Sequence, residues 1–216
     1  MIKVGIDPGH GGKNIGCHNN GITEKFYTLF FSRYLVDRIS RSGEPFDVHL
    51  IRNDDVGMSL AERAEAAVRI GCQVVLCIHV NASESPSLRG LMTFHDKRDE
   101  AGYFVGTAIS RAAPFHLFRG VGSAAHAITA IEPDLSDDNP AGDWLAGPRS
   151  VMRRYVDARI TASLVELGFS TNQTDAIALQ SPSVQSSLVS ACMIGLDRFR
   201  ALLEHTSPEW SQRDGL

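Results

Sequence analysis

The 216-residue sequence has few cysteines, and their spacing suggests neither a disulfide-linked fold nor a metal site built from cysteines. The four are Cys17, Cys72, Cys77 and Cys192, and no two of them form a C-x-x-C pair. Such scattered thiols are not typical of a disulfide framework or of a cysteine-rich zinc site. Because Cys72 and Cys77 border or lie within an apolar run, we expect buried free thiols and folding in a reducing compartment.

The sequence also lacks a long apolar run, a secretory leader and a basic cluster. No apolar stretch reaches the roughly 18 residues that indicate a membrane-spanning helix. The first residues, MIKVGIDPGH, have none of the regions of a secretion signal, so we expect synthesis in the cytoplasm and no membrane span. The formal net charge is −4 and no run of lysine and arginine is present, which argues against a nucleic-acid partner.

Apolar runs alternate with helical patterns along the rest of the chain. Strands are predicted at 2–6, 46–51, 73–79, 90–94 and 159–167, and helices at 24–40, 60–70, 100–112 and 183–203. Ser59 and Glu62 form a capping-box pattern at the start of the second helix. This alternation predicts an α/β protein, with a sheet that is covered by helices on both faces.

One long segment departs from this alternation. Residues 115–147 hold several Gly, Pro, Asp and Asn residues and have weak periodicity, so we expect an irregular segment with one short helix. Loops of this length within a compact domain often carry function, for example as groove walls. No repeat or linker divides the chain, and we predict one catalytic domain at 1–204 and a polar C-terminal tail at 205–216.

Two histidines and a glutamate occupy positions at which a metal site would form. His10 closes the turn after the first strand, His79 ends an apolar strand, and Glu24 opens the first helix. In open α/β sheets, sites form beyond the carboxyl ends of strands, and two imidazoles with one carboxylate are a known catalytic zinc set. Glu166 follows the late strand at the same rim, where it would suit proton transfer from water to a leaving amine.

Each of these residues also has an ordinary structural interpretation. A lone histidine after a strand is more often structural than a ligand, and an acid at the start of a helix suits the first turn. Glu166 by itself is equally consistent with a buried, hydrogen-bonded acid that holds a loop. The spacing of the residues alone therefore leaves the metal site open.

The candidate residues lie in sequence segments that follow a recognisable order. These segments are 6–12 (IDPGHGG), 21–25 (GITEK), 50–55 (LIRNDD), 59–63 (SLAER), 77–82 (CIHVNA) and 165–172 (VELGFSTN). Together they resemble the zinc-dependent N-acetylmuramoyl-L-alanine amidases of the amidase-3 type. The resemblance covers nearly the whole chain and is carried by six segments in the same order.

The resemblance implies a fold, a metal site and a substrate. The implied fold is a single domain with a twisted, mostly parallel mixed sheet between helices. One zinc ion would be held by His10, Glu24 and His79, with Glu166 as the catalytic acid and base. The implied substrate is the amide between N-acetylmuramic acid and L-alanine of the stem peptide, in peptidoglycan or in muropeptide fragments.

Residues near the candidate site are open to more than one interpretation. Asp7 either orients a ligand histidine or caps its turn, and Asn81 either touches the site or holds its loop. We expect Arg52 and Arg63 to form structural ion pairs. Cys17 is expected to be a bystander, because a full ligand set is present without it.

Three other functions compete with the amidase hypothesis. A zinc peptidase cutting within the stem peptide would release different products, and a non-catalytic peptidoglycan-binding domain would be free to lose the candidate residues. A nucleotide-binding domain would need a dinucleotide fingerprint after Ile6, which the sequence lacks. Without a leader, we expect action on the cell wall as a phage-type endolysin, as a catalytic domain cut from a longer autolysin, or as a wall-recycling enzyme; the oligomeric state is left open.

Overall fold

A six-stranded mixed sheet forms the centre of the computed structural model, which describes residues 1–114, 128–131 and 151–205. The strands are β1 (Ile2–Pro8), β2 (His18–Asn19), β3 (Ile22–Thr23), β4 (Phe46–Leu50), β5 (Val74–Asn81), β6 (Met92–His95), β7 (Ile128–Ile131) and β8 (Thr161–Phe169). The sheet order is β4-β1-β5-β8-β6-β7, and β2 and β3 form a separate hairpin. Strands β4, β1, β5 and β8 run parallel, and β6 pairs antiparallel with β8. The predicted mostly parallel mixed sheet is confirmed.

Helices cover both faces of the sheet, as predicted. They are α1 (Glu24–Arg41), α2 (Leu60–Ile70), α3 (Glu100–Ala112), α4 (151–157 in its described part), α5 (Gln173–Leu179) and α6 (Pro182–His205). Leu76 and Ile78 of β5 pack into a cluster with apolar residues of α1, α3 and α6. Val75 and Cys77 point the other way, into a cluster with residues of α2 and α4. This alternation explains why β5 is a continuous apolar run, since both of its faces are buried.

The second helix shows how local sequence signals set the bounds of an element. Oγ of Ser59 accepts a hydrogen bond from the N–H of Glu62 at 3.3 Å, and the Glu62 carboxylate accepts one from the N–H of Ser59 at 2.7 Å. This is the predicted capping box, which satisfies two of the N–H groups left free at a helix start. Gly71 ends the helix with a φ of 78°, in the left-handed region that glycine adopts without strain.

The register of the central strands places two candidate residues side by side. His79 of β5 is the register partner of Glu166 of the parallel strand β8. Paired residues of neighbouring parallel strands direct their side chains to the same face, and the strands lie about 4.8 Å apart. The imidazole and the carboxylate therefore lie together near the carboxyl edge of the sheet. Directly after this pair the register shifts, between His79 and Asn81.

Several bounds differ from the sequence predictions. β6 begins at Met92, two residues later than predicted, and β8 begins at Thr161. The predicted start at Arg159 was wrong, because that residue has a φ of 61° and closes α4. The N–H of Ile160 bonds to the carbonyl of Tyr155, and that of Arg159 to Val156, which is a Schellman motif without the usual glycine.

The long segment and the tail fall largely outside the described residues. Within the segment predicted to be irregular, residues 128–131 form β7 beside β6. That part of the prediction was wrong, since a four-residue strand is too short to show periodicity; the predicted short helix lies outside the described residues. Helix α6 includes His205, and the boundary of the tail stays a prediction. In the described ranges, no helix combines the length and apolarity that a membrane crossing requires.

Candidate metal centre

Three predicted ligands meet at the carboxyl edge of the sheet. Nε2 of His10 lies 3.1 Å from Oε1 of Glu24, and Nδ1 of His79 lies 3.0 Å from the same oxygen. One ligand atom from each of the three side chains lies within 4.8 Å of the others. Two imidazole nitrogens and a carboxylate oxygen are a donor set that zinc favours. The geometry brings these three residues together, as a shared site requires.

The turn that carries His10 has an unusual backbone conformation, which two arginines support. His10 has a φ of 60°, a left-handed conformation that is uncommon for a residue other than glycine. Arg63 donates to the carbonyls of Pro8 at 2.8 Å and His10 at 2.6 Å. Arg52 donates to the carbonyls of Pro8 at 3.2 Å and Gly9 at 3.0 Å. A strained backbone conformation persists where the surrounding structure holds it in place, and these four hydrogen bonds hold the turn that contains His10.

Glu24 is fixed from the first residue of α1. Its Oε1 accepts a hydrogen bond from the N–H of Val80 at 3.1 Å, and its Oε2 accepts one from the N–H of Cys17 at 2.9 Å. Burial by itself raises the pKa of Glu24, but the hydrogen bonds and charges of His10 and His79 outweigh it and hold the pKa well below its ordinary value. The carboxylate is therefore ionised at neutral pH.

Cys17 contributes its backbone to the site but not a thiolate. Ser170 donates its hydroxyl proton towards the Cys17 sulfur at 3.0 Å, and the sulfur lies 3.4 Å from the carbonyl of Val80. Burial, helped by the charge of Glu24, raises the pKa of the thiol to about 12. Among the described residues, the group that could hold a metal ion consists of His10, Glu24 and His79 and does not include Cys17. This supports the bystander interpretation for the Cys17 side chain, although its N–H helps to hold Glu24.

The comparisons with known proteins decide the family. A sequence model described as N-acetylmuramoyl-L-alanine amidase matches residues 4–198. The chain belongs to that amidase family. A Haemophilus influenzae protein named "Probable N-acetylmuramoyl-L-alanine amidase AmiB" is 37% identical over 178 residues, which are 80% of this chain and 34% of the relative. The sporulation-specific N-acetylmuramoyl-L-alanine amidase of Bacillus subtilis is 39% identical over 82 residues, which are 38% of this chain and 32% of that one.

Solved structures of amidases share the fold of this family member. The N-acetylmuramoyl-L-alanine amidase from Clostridium difficile 630 superposes with a TM-score of 0.73 at 21% identity, covering 95% of this chain and 98% of that one. At this identity the likeness establishes the fold of the catalytic domain. The curated relatives are longer proteins, and this amidase-family chain spans about a third of the two described above.

In the described residues, the side chains of Asp7 and Asn81 form hydrogen bonds with groups other than the side chains of the predicted ligands. Within the described ranges, the Asp7 carboxylate pairs with Arg63 and accepts the Tyr155 hydroxyl at 2.8 Å. The Asp7 carboxylate is therefore linked to the His10 turn through Arg63, and the two roles predicted for Asp7 stay predictions. The side chain of Asn81 accepts from the N–H of Ala82 at 2.8 Å, which favours the interpretation that it holds its loop.

The arginines of this family member differ in what they pair with. The ion pair predicted for Arg63 is confirmed by its contact with Asp7. Arg52 is 1% exposed and directs its guanidinium to main-chain carbonyls, including that of Asp54 at 2.7 Å, so the prediction of an ion pair missed its role. Tyr155 was missed altogether, because no motif surrounds it and its partner Asp7 is 148 residues away.

Proposed function

We propose that the chain is a zinc-dependent amidase that hydrolyses the bond between N-acetylmuramic acid and the L-alanine of the stem peptide. The substrate would be bacterial peptidoglycan or its muropeptide fragments, so the enzyme would act on the cell wall. The observation that carries this proposal is the convergence of His10, Glu24 and His79 in a member of the amidase family. Glu166, on the strand beside His79, is the fourth residue of the proposed active site, with a role other than metal binding.

The three side chains fit one zinc ion per chain. His10 would bind through Nε2 and His79 through Nδ1, since these are the nitrogens that face Glu24. A carboxylate oxygen supplies the third donor, and a catalytic zinc site with three protein ligands keeps one position open. A bound zinc ion would supply Lewis-acid activation of a water molecule and of the scissile carbonyl.

Glu166 is proposed as the proton carrier of the reaction. Its carboxylate would accept a proton from the attacking water as the water oxygen bonds to the lactyl carbonyl carbon. It would then give that proton to the L-alanine nitrogen as the C–N bond breaks. The products are a lactyl carboxylate and a peptide with a free amine. The register with His79 supports this role, because it holds the carboxylate on the face of the sheet where the ligands meet.

Digestion of purified peptidoglycan tests the proposed activity and metal dependence together. We expect mass spectrometry to find peptides that begin with a free L-alanine amine, and we expect a chelator to abolish their release. Zinc added back should restore it. Cleavage within the stem peptide would instead establish a peptidase, and wall binding without any cleavage would establish a binding module; either result would overturn the amidase proposal.

A substitution at Gly9 is expected to weaken zinc binding strongly. A Cβ at Gly9 would lie 2.6 Å from Nδ1 and 2.7 Å from Nε2 of His79, so the ring must move. For Gly9→Ala we expect zinc affinity, measured by competition with a chromogenic chelator, to fall by at least about tenfold, as when the support of a ligand is lost. Gly57→Ala is the matched control, because the nearest atom to its Cβ is 3.7 Å away. Equal affinities in the two variants would contradict this prediction.

A further inference from the structure

The side chain of Asn14, which is not one of the proposed ligands, contacts the ring nitrogen of His10 that does not face Glu24. Oδ1 of Asn14 lies 2.9 Å from Nδ1 of His10, and the same oxygen accepts a hydrogen bond from the N–H of Gly16 at 3.1 Å. The backbone of Asn14 is fixed as well, by two hydrogen bonds with Gly11 at 2.9 and 3.2 Å. Asn14 is therefore held at both its main chain and its side chain in the turn after β1.

The N–H of Gly16 decides which atom of the Asn14 amide faces His10. A backbone N–H only donates, so the amide atom beside it must be the carbonyl oxygen. That oxygen only accepts, so Nδ1 of His10 must carry the proton. A neutral imidazole has one N–H, and its other nitrogen then keeps a lone pair. With Nδ1 committed to Asn14, a neutral His10 ring that binds zinc would offer its lone pair at Nε2, the nitrogen that lies 3.1 Å from Glu24.

The two histidines of the site need opposite tautomers. His10 faces Glu24 through Nε2, whereas His79 faces it through Nδ1. An Nδ1–H tautomer leaves the lone pair of His10 on the nitrogen that would bind the metal. In His79 the same tautomer would put a proton on that nitrogen. Each ring therefore needs its own means of selecting the correct form, and for His10 the contact with Asn14 supplies one.

We propose that Asn14 is a positioning residue that sets the Nδ1–H tautomer of His10 and presents Nε2 to the metal. This inference rests on the proposed function, since it assumes that His10 binds zinc. Hydrogen bonds to the outer nitrogen of a ligand histidine typically change metal affinity by about 10–100-fold when they are removed. Gly16 allows the contact, because a Cβ there would lie 2.7 Å from Cδ2 of His10.

The test compares variants that differ in the acceptor at position 14. Asn14→Leu removes the acceptor at similar size, and we expect zinc to bind about tenfold or more weakly in a chelator competition. Asn14→Asp keeps an acceptor oxygen, and its affinity should equal or exceed that of the wild type. Asn53→Leu, at an exposed asparagine remote from His10 in the sequence, is the control and should have no effect.

A second measurement follows the proton on Nδ1 of His10 in the zinc-loaded protein. By NMR of the ¹⁵N-labelled protein, we expect this proton to exchange slowly with water in the wild type and in Asn14→Asp. In Asn14→Leu, where the N–H has lost its acceptor, the exchange should be faster. Asn14 is exposed, so the fold should survive; if Asn14→Leu does not fold, Asn14→Ala removes the same acceptor with less steric change.

The possible outcomes separate this inference from the proposed function. Absence of zinc binding by the wild type would refute the metal site itself, whatever position 14 does. If the wild type binds zinc, unchanged affinity and unchanged exchange of the Nδ1 proton in Asn14→Leu would overturn the positioning role. Weaker binding with faster exchange of that proton in the same variant, together with retained binding in Asn14→Asp, would establish it.

Discussion

Glu166→Gln is expected to lower the rate of peptidoglycan hydrolysis by about 10²–10⁴-fold, the usual contribution of a positioned acid and base. Glutamine has nearly the same shape but does not accept a proton from water at neutral pH. The register places position 166 beside His79, and the group of proposed ligands consists of His10, Glu24 and His79. The effect should therefore appear in kcat, with zinc content and the unfolding midpoint close to those of the wild type.

Released stem peptides, counted over time by mass spectrometry, measure this effect. Zinc content by atomic spectroscopy and circular dichroism complete the comparison. Glu65→Gln, at an exposed glutamate of α2, is a matched control and should retain full activity. Full activity in Glu166→Gln would refute the proposed role of Glu166 as the proton carrier. Loss of zinc or of the fold in that variant would instead assign Glu166 a structural or ligating role.

Arg63→Met is expected to destabilise the protein by about 3–5 kcal/mol, because it leaves the charge of Asp7 buried without its partner. The two side chains are 6% and 3% exposed. The hydroxyl of Tyr155 still donates to Asp7, but burial and the charge of Asp7 raise the pKa of that phenol well above its ordinary value. The phenol therefore stays neutral and does not replace the missing charge.

Urea denaturation followed by circular dichroism measures this loss. Arg41→Met is the control, because Arg41 pairs with Asp37 at 2.7 Å on the surface of α1, with side chains 78% and 45% exposed. Such exposed pairs contribute about 0–1 kcal/mol. The double variant Asp7→Leu/Arg63→Met should recover part of the stability, since no buried charge is left unpaired. Equal losses for Arg63→Met and Arg41→Met would argue against this account.

Loss of Arg63 should also disturb the position of His10 in the candidate metal centre. Arg63 donates to the carbonyl of His10, whose backbone lies in the left-handed region. Arg52 supports the two preceding carbonyls, so the turn keeps part of its support in Arg63→Met. The buried arginines thus connect the stability of the central sheet to the position of a candidate ligand.

Signals within a few residues of one another were sufficient to predict most of the elements. The capping box at Ser59 gave the start of α2, and the continuous apolar run of β5 predicted a strand that is buried on both faces. Helix α3 was predicted at the residues where it lies. The segments around His10, Glu24, His79 and Glu166 indicated both the family and the candidate site, because their residue types and order are specific.

Other features depended on contacts between distant parts of the chain. The short hairpin of β2 and β3, strand β7 and helix α5 are too brief to show a period of their own. Tyr155 and Arg63 meet Asp7 across 148 and 56 residues, and no local pattern encodes such a separation. The sequence by itself determined most of the longer elements, the family and the candidate ligands, since periodicity, caps and motifs are local. Only the tertiary structure decided which nitrogen of each histidine faces Glu24 and which buried groups hold the His10 turn, because those contacts exist only once the strands are packed.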